Sequence, residues 1–231
     1  IIFLSSLSAM VLAGETFHKV RKLYMVKATP RTPIANVKEG FTEITGKIVA
    51  ALPTRTSPLS HKETVFCHIV IEGWRDEGLH ERWTVLHEAL LGGRFLVDDG
   101  TGVAEVDITK AERDFQVDNH RSCSFYKNAE PDFEEMLNYF GMPAKGLTGQ
   151  DYKDYRCTET ALEEGDTFCL LGEAQMSEAR PLFNGDDGRM FYVSDKDEKG
   201  LINKLFKESI IRGGATLLLT AIAAVFHFYL R

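Results

Sequence analysis

Residues 94–107 read Arg94-Phe95-Leu96-Val97-Asp98-Asp99-Gly100-Thr101-Gly102-Val103-Ala104-Glu105-Val106-Asp107. Phe95-Leu96-Val97 and Val103-Ala104-Glu105-Val106 are β-prone runs, and between them Asp98 and Asp99 offer side-chain acceptors while Gly100 and Gly102 are free to take positive φ. The chain therefore reverses tightly here, as a hairpin at the middle of a β-rich domain. Adjacent aspartates also invite a divalent cation, but one turn supplies few ligands and no outer shell is visible, so Asp98 and Asp99 read as turn chemistry.

On the N-terminal side, residues 41–50 alternate: Thr42, Ile44, Gly46, Ile48 and Ala50 share one face while Glu43, Thr45 and Lys47 take the other. Gly46 inside that strand predicts strong bending, as in a barrel. A loop over 53–58, with Ser57-Pro58, leads to a strand over 64–71 in which Val65, Cys67, Ile69 and Ile71 share a face. His68 beside Cys67 does not make a metal pair, because neighbours in a strand point opposite ways. A polar loop over 73–81 precedes a third strand over 83–91, and Gly92-Gly93 turns into the central hairpin.

On the C-terminal side, residues 109–124 are mixed and polar and read as a loop with at most a short strand. His120 and Cys123 form a lone H-x-x-C, half of a zinc site with no second half at useful spacing. Residues 131–140 give the best helix signal: Pro131 at the first turn, Asp132, Glu134 and Glu135 on the positive end of the dipole, and a stripe of Phe133, Met136, Leu137 and Phe140. Strands follow over 155–160, 167–174 and 190–193, the last opened by a second acidic turn over 184–188. Ser194 is placed to cap a helix whose Leu201, Ile202, Leu205 and Phe206 form an apolar stripe beside Lys199, Lys204 and Lys207. Together these stretches predict a mainly β fold: a small barrel of five or more bent strands, OB-like among the candidate arrangements, with one inserted helix.

The ends are apolar. Residues 215–230 carry no charge, and with the preceding turn they make a helix of about 31 Å, enough to cross a hydrocarbon core of roughly 30 Å. Residues 1–14 would reach only about 21 Å, as the inner part of a longer helix or the remnant of a signal sequence. Lys19, Arg21, Lys22, Lys27 and Arg31 follow the first segment, while Lys199, Lys204, Lys207 and Arg212 precede or enter the second. By the positive-inside rule both flanks put the intervening domain in the cytoplasm. The expected organisation is an N-terminal membrane segment and basic collar over 1–28, a β-rich domain over 29–193, an amphipathic juxtamembrane helix over 194–208 and a transmembrane helix over 209–231. Ser209 and Gly213, four apart, would let another helix approach closely in that last segment.

Charge divides along the same lines. Residues 15–31 and 199–231 hold ten Lys/Arg and two Asp/Glu, which leaves 17 against 32, a net of −15, for residues 32–198. Such a domain repels phosphate backbones, so nucleic acid is not the expected partner, while the basic collars suit anionic lipid head groups. Cys67, Cys123, Cys157 and Cys169 show no C-x-x-C pair, and in a cytoplasmic domain they read as free thiols, with two disulfides as the alternative under a reversed topology.

Several stretches taken in order carry a resemblance: Thr29-Pro30, residues 40–48, Ser57-Pro58-Leu59-Ser60 with Cys67 downstream, residues 95–102, and residues 162–166 running into Leu171-Gly172-Glu173-Ala174. They resemble the GIDE family, whose eukaryotic members are mitochondrial membrane E3 ubiquitin ligases, and the shared part is the domain lying beside the membrane between two transmembrane helices. The resemblance implies a membrane protein of that type. Ubiquitin transfer in the eukaryotic members resides in a RING, which needs eight Cys/His ligands in close pairs, and four scattered cysteines do not supply them. The chain is therefore similar to a prokaryotic-type member that keeps only the anchored domain.

The functional expectation is a non-catalytic, multi-pass cell-membrane protein whose domain faces the cytoplasm. It would use no cofactor and bind lipids through its collars and other membrane proteins or further copies of itself, as scaffold, sensor or accessory subunit. The competing class is a metal-dependent enzyme that assembles Asp98, Asp99, His68, His87 or His120 only in three dimensions, since no nucleophile elbow, phosphate loop or H-E-x-x-H is present.

Overall fold

The computed structural model describes residues 23–51, 54–76, 81–124, 131–142, 152–177, 180–186 and 188–196, together with helical positions scattered through 14–21 and 200–221. Thirteen strands and one bounded helix result: β1 (Gly40–Ala51), β2 (Arg55–Thr56), β3 (Glu63–Thr64), β4 (Phe66–Asp76), β5 (Glu81–Gly92), β6 (Arg94–Asp98), β7 (Val103–Asp107), β8 (Glu112–Asp114), β9 (Asn119–Ser124), α1 (Pro131–Tyr139), β10 (Tyr152–Leu162), β11 (Thr167–Ser177), β12 (Arg180–Phe183) and β13 (Tyr192–Ser194).

Five of these strands close a barrel. β1 pairs with β6, β6 with β7, β7 with β12, β12 with β11 and β11 back with β1, every pair antiparallel except β7–β12. The closure depends on β1 serving two partners, residues 40–47 against β11 and residues 47–51 against β6. At the changeover the β6 backbone comes so near that a Cβ on Gly46 would stand 2.6 Å from the Asp98 carbonyl oxygen, so only glycine fits the bend. Closing the sheet on itself removes the exposed edges that β1 and β6 would otherwise present.

Alternate residues fill the interior: Ile44 and Ile48 from β1, Phe95 and Val97 from β6, Ala104 and Val106 from β7, Phe168 and Leu170 from β11, and Phe183 from β12, all buried in one cluster. Phe95 and Phe168 meet edge to face at 5.1 Å between centroids. Each of the larger of these side chains contributes about 1.5–3 kcal/mol on leaving water.

A second sheet, in the order β5-β4-β10-β9, is built from the connections of the barrel. β4 and β5 come from the excursion between β1 and β6, β9 and β10 from that between β7 and β11. The amphipathic α1 covers one face, setting Phe133, Met136 and Leu137 against Cys67, Ile69, Ile71, Tyr155 and Cys157. The apolar stripe of the inserted helix thus packs into a core, that of the second sheet rather than of the barrel. The other face carries Trp74 and Trp83 at 5.3 Å, with the Arg156 guanidinium 4.4 Å from the Trp83 ring and bonded to Glu72 at 2.7 Å.

Other readings of the sequence are also corrected. Residues 109–124, read as a loop with at most a short strand, hold two strands, β8 and, on the edge of the second sheet, β9. Ser194, read as a helix cap, ends β13 and is buried, its hydroxyl donating to the Asp114 carbonyl at 3.2 Å. The strand that closes the barrel, β12, has no counterpart in the sequence reading.

The described residues of 14–28 are helical up to the turn at Thr29, as are those of 200–221. Val26 is buried with Leu171 and Tyr192, and Leu23, Met25 and Ile202 pack beside them, so both terminal helices rest on the outer face of β11 and β13. Lys27 Nζ stands 5.8 Å from the Phe206 ring centroid, and a Cβ on Gly213 would be 3.9 Å from Thr16 Cγ2. These contacts make the two helices antiparallel neighbours. Among the described residues no helix is long and apolar enough to cross a membrane. Most of the spans expected at 1–28 and 209–231 falls outside the described residues.

Candidate functional site

Where the first terminal helix meets the barrel, the surface opens into a cleft of about 710 Å³. The helix supplies Arg21 and Met25, the start of β1 supplies Phe41, the approach to β8 and its first residue supply Lys110 and Glu112, and residues 188–191 close the far wall with Arg189, Met190 and Phe191. The floor is apolar because Phe41, Met25 and Met190 also pack on the cluster of Val26, Leu171 and Tyr192. Phe191 is held in place by Gly172 and Gly185: a Cβ on either would stand 2.7 Å from its ring. The rim is charged. Lys110 pairs with Asp186, and Arg189 Nη1 donates to Glu173 Oε2 at 2.7 Å. A volume of this size, mainly apolar with a few converging polar groups, is what a small-molecule site offers.

Asp98 and Asp99 lie in the hairpin turn. Gly100 has φ of +82° there, its N–H donating to Asp98 Oδ1 at 2.7 Å. Asp99 Oδ1 receives the Thr101 N–H at 2.8 Å and hydroxyl at 2.7 Å, and Oδ2 receives the Ile34 N–H at 2.9 Å. Burial alone would raise the Asp99 pKa, but the bonds from Thr101, Ile34 and Gly102 together bring it below the ordinary carboxylate value. This carboxylate ties the hairpin to the short 3-10 turn Ile34–Asn36. A shallower hollow of about 440 Å³ lies beside it, lined by Arg31, Thr45, Lys47 and both aspartates.

Ser57 and Pro58 are buried in a tight turn, closed by the His61 N–H on the Ser57 carbonyl at 3.0 Å. The Ser57 hydroxyl donates to Glu159 Oε2, which also receives the Ser60 N–H at 3.3 Å, while Asn119 Nδ2 donates to Oε1 at 3.0 Å. Glu159 is a fully buried carboxylate on β10. Cys67 and Cys157 lie near it, and burial first, then the Glu159 charge, pushes both thiols up to about 12. This network fastens the 57–60 loop to the second sheet, and its thiols are poor nucleophiles.

The histidines of the enzymatic alternative are kept apart. His68, on the outer face of β4, bonds Glu88 at 2.8 Å, whereas His87 sits opposite Ile71 on the inner face and stacks on Phe140 at 4.6 Å. His120 is on β9 facing Thr158, and the Cys123 side chain lies outside the described residues. Among the described residues no three His, Cys, Asp or Glu groups converge as metal ligands. Ser209 and Gly213 are both on the last helix, and the neighbour that Gly213 meets is the chain's own Thr16.

Sequence reasoning missed the cleft and Glu159. Glu159 carried a signal, a charge at an inward position between Cys157 and Ala161; the cleft carried none beyond the basic collar, because its lining comes from four separated stretches. No known protein family, curated protein or solved structure matches the chain.

Proposed function

We propose that this chain is a membrane-held, non-catalytic binding module: an OB-like barrel carried against the inner surface of a bilayer by its terminal helices, with the cleft beside the first helix as its ligand site. One observation carries the reading. Among the described residues, Phe17, Val20, Tyr24, Phe206, Ile210, Ile211 and Leu218 make up seven of the twelve large apolar side chains left exposed, and all seven are on the two paired helices. Phe17, Val20 and Tyr24 recur at helical spacing, so they form one stripe. A concentrated apolar surface next to basic residues fits a lipid interface better than water.

The OB-like reading is supported by the Greek-key closure, in which the third and last barrel strands pair in parallel. The likeness to the GIDE domain is supported by how its motif stretches meet. Gly46 abuts Asp98, Gly165 N–H donates to the Ile48 carbonyl at 2.7 Å, and the 57–60 turn closes on Glu159 beside Cys67. No ubiquitin transfer is proposed. The partners proposed are anionic lipids at the collars and other membrane proteins or a second copy of the chain; the strongly acidic body disfavours nucleic acid.

Flotation of the full chain with lipid vesicles tests this reading, and protease protection in sealed vesicles tests its orientation. The chain should float, and the body should be digested only from the side equivalent to the cytoplasm. A chain that stays at the bottom of the gradient ends the proposal.

A further inference from the structure

We infer that the cleft takes an anionic amphiphile, an alkyl chain lying on Met25, Phe41, Met190 and Phe191 with a phosphate or carboxylate head met by Arg21 and Arg189. The inference rests on the reading of the cleft as the ligand site and names what fills it. Its first support is the division of the lining: four large apolar side chains on the floor and walls, with Arg21, Lys110, Arg189 and Glu112 around them. Arg21 comes from the basic collar, while Lys110 and Arg189 come from residues 32–198, where basic side chains are outnumbered 17 to 32, and are paired there with Asp186 and Glu173.

The second support is that the rim can exchange partners. The pairs Lys110–Asp186 and Arg189–Glu173 leave their basic side chains 61% and 64% exposed. Lys110–Asp186 is exposed on both sides and such surface pairs contribute little, so an incoming anion displaces Asp186 at small cost, while Glu173, 20% exposed, shares the Arg189 guanidinium with it. A phosphate or carboxylate held by a guanidinium gains a bidentate, charge-assisted contact in return. Two methionines in the floor adapt to a flexible chain without a fixed shape. The third support is position: Arg21 and Met25 line the cleft from the helix that carries the exposed stripe of Phe17, Val20 and Tyr24, so an amphiphile reaches the cleft from the lipid surface at which that stripe is proposed to lie.

The test uses the full chain in nanodiscs of zwitterionic lipid, its methionine methyls labelled for NMR, titrated with dodecyl phosphate, dodecyl maltoside or inorganic phosphate. Dodecyl phosphate should shift the Met25 and Met190 methyls saturably, leaving buried Met136 and exposed Met176 in place, with the maltoside and free phosphate at least tenfold weaker. Arg21→Gln with Arg189→Gln should weaken dodecyl phosphate about tenfold, the unmoved Met136 resonance certifying the fold. Equal response to the maltoside overturns the anionic head, equal response to inorganic phosphate overturns the alkyl chain, and no response overturns both. Vesicle flotation that persists alongside any of these failures leaves the membrane-held reading standing and removes only the ligand.

Discussion

Ser57 gives its hydroxyl hydrogen to Glu159 across 102 residues of chain, and both are fully buried. The contact joins two excursions from the barrel that are remote in sequence, the turn before β3 and the strand β10. A buried carboxylate is tolerated only when its lone pairs are filled, and Ser57, Ser60 and Asn119 fill them here.

Removing that donor should therefore cost more than an average hydrogen bond. Ser57→Ala leaves Glu159 with one partner fewer in a dry site, for a loss of about 1–3 kcal/mol of stability. Urea unfolding followed by the fluorescence of Trp74 and Trp83, both on the second sheet, measures it directly. A midpoint unchanged from the parent chain would mean that the contact contributes nothing.

The neighbouring thiols give a prediction with a definite sign. Cys67 and Cys157 rise from an ordinary value of 9.0 to about 12 in the folded chain, through burial and the Glu159 charge. Below pH 9 both states keep the proton, whereas between 9 and 12 only the unfolded chain releases it, so stability falls as pH rises through that window. At pH 8 iodoacetamide should modify neither thiol in the native protein and both after denaturation. Rapid native alkylation of either, located by mass spectrometry, would contradict the geometry.

Asp99 behaves in the opposite sense. Its folded pKa is depressed below 3.8, so its contribution is present above that value and is lost as pH falls below it. Asp99→Ala at neutral pH should cost about 1–2 kcal/mol, by freeing the Ile34 and Thr101 N–H groups. Hydrogen exchange should show the gain in mobility at 34–36 and 100–102 but not in the second sheet. Uniform exchange across both sheets would mean a global rather than local role.

The difference between what was legible and what was not follows physical lines. The hairpin at 98–102 and the helix Pro131–Tyr139 are written locally, in turn residues and in a 3.6-residue stripe, and both form where the sequence puts them. Strand β12 is only four residues long and contains Pro181, and a parallel partner in β7 leaves no local trace. Alternation also finds strands without assigning them to sheets: residues 64–71 and 95–97 both read as strands, yet the first leads into the second sheet, where β4 runs on to Asp76 through residues read as a polar loop, and the other is in the barrel. Glu43 alternates outward as expected and is nonetheless 1% exposed, because the connector at Arg31 and Thr32 runs along β1 and covers it. Cover of that kind is tertiary, and the cleft arises in the same way, from a helix laid on a sheet face. Ser57 and Pro58 enter the sequence reading only as a loop and as part of a resemblance, and their partner Glu159 is not singled out in it at all.

The terminal helices allow the sharpest test of tertiary arrangement. A Cβ on Gly213 would make ordinary contact with the Thr16 methyl carbon at 3.9 Å, so the two positions are neighbours across the helix pair and suit a cross-linking test. Thr16→Cys with Gly213→Cys should therefore oxidise within one chain, whereas Val20→Cys with Gly213→Cys, which uses a residue 48% exposed on the same helix, should not. Non-reducing electrophoresis separates the outcomes: an intramolecular bond keeps the monomer mass with altered mobility, and a dimer band means that the helices pair between chains. Gly213→Leu should separate the helices and expose Val26 and Leu171, which lowers the thermal midpoint of the barrel as well as that of the helix pair. If the helix pair loosens while the barrel midpoint stays fixed, the helices rest on β11 without stabilising it, and their role is confined to the surface they present.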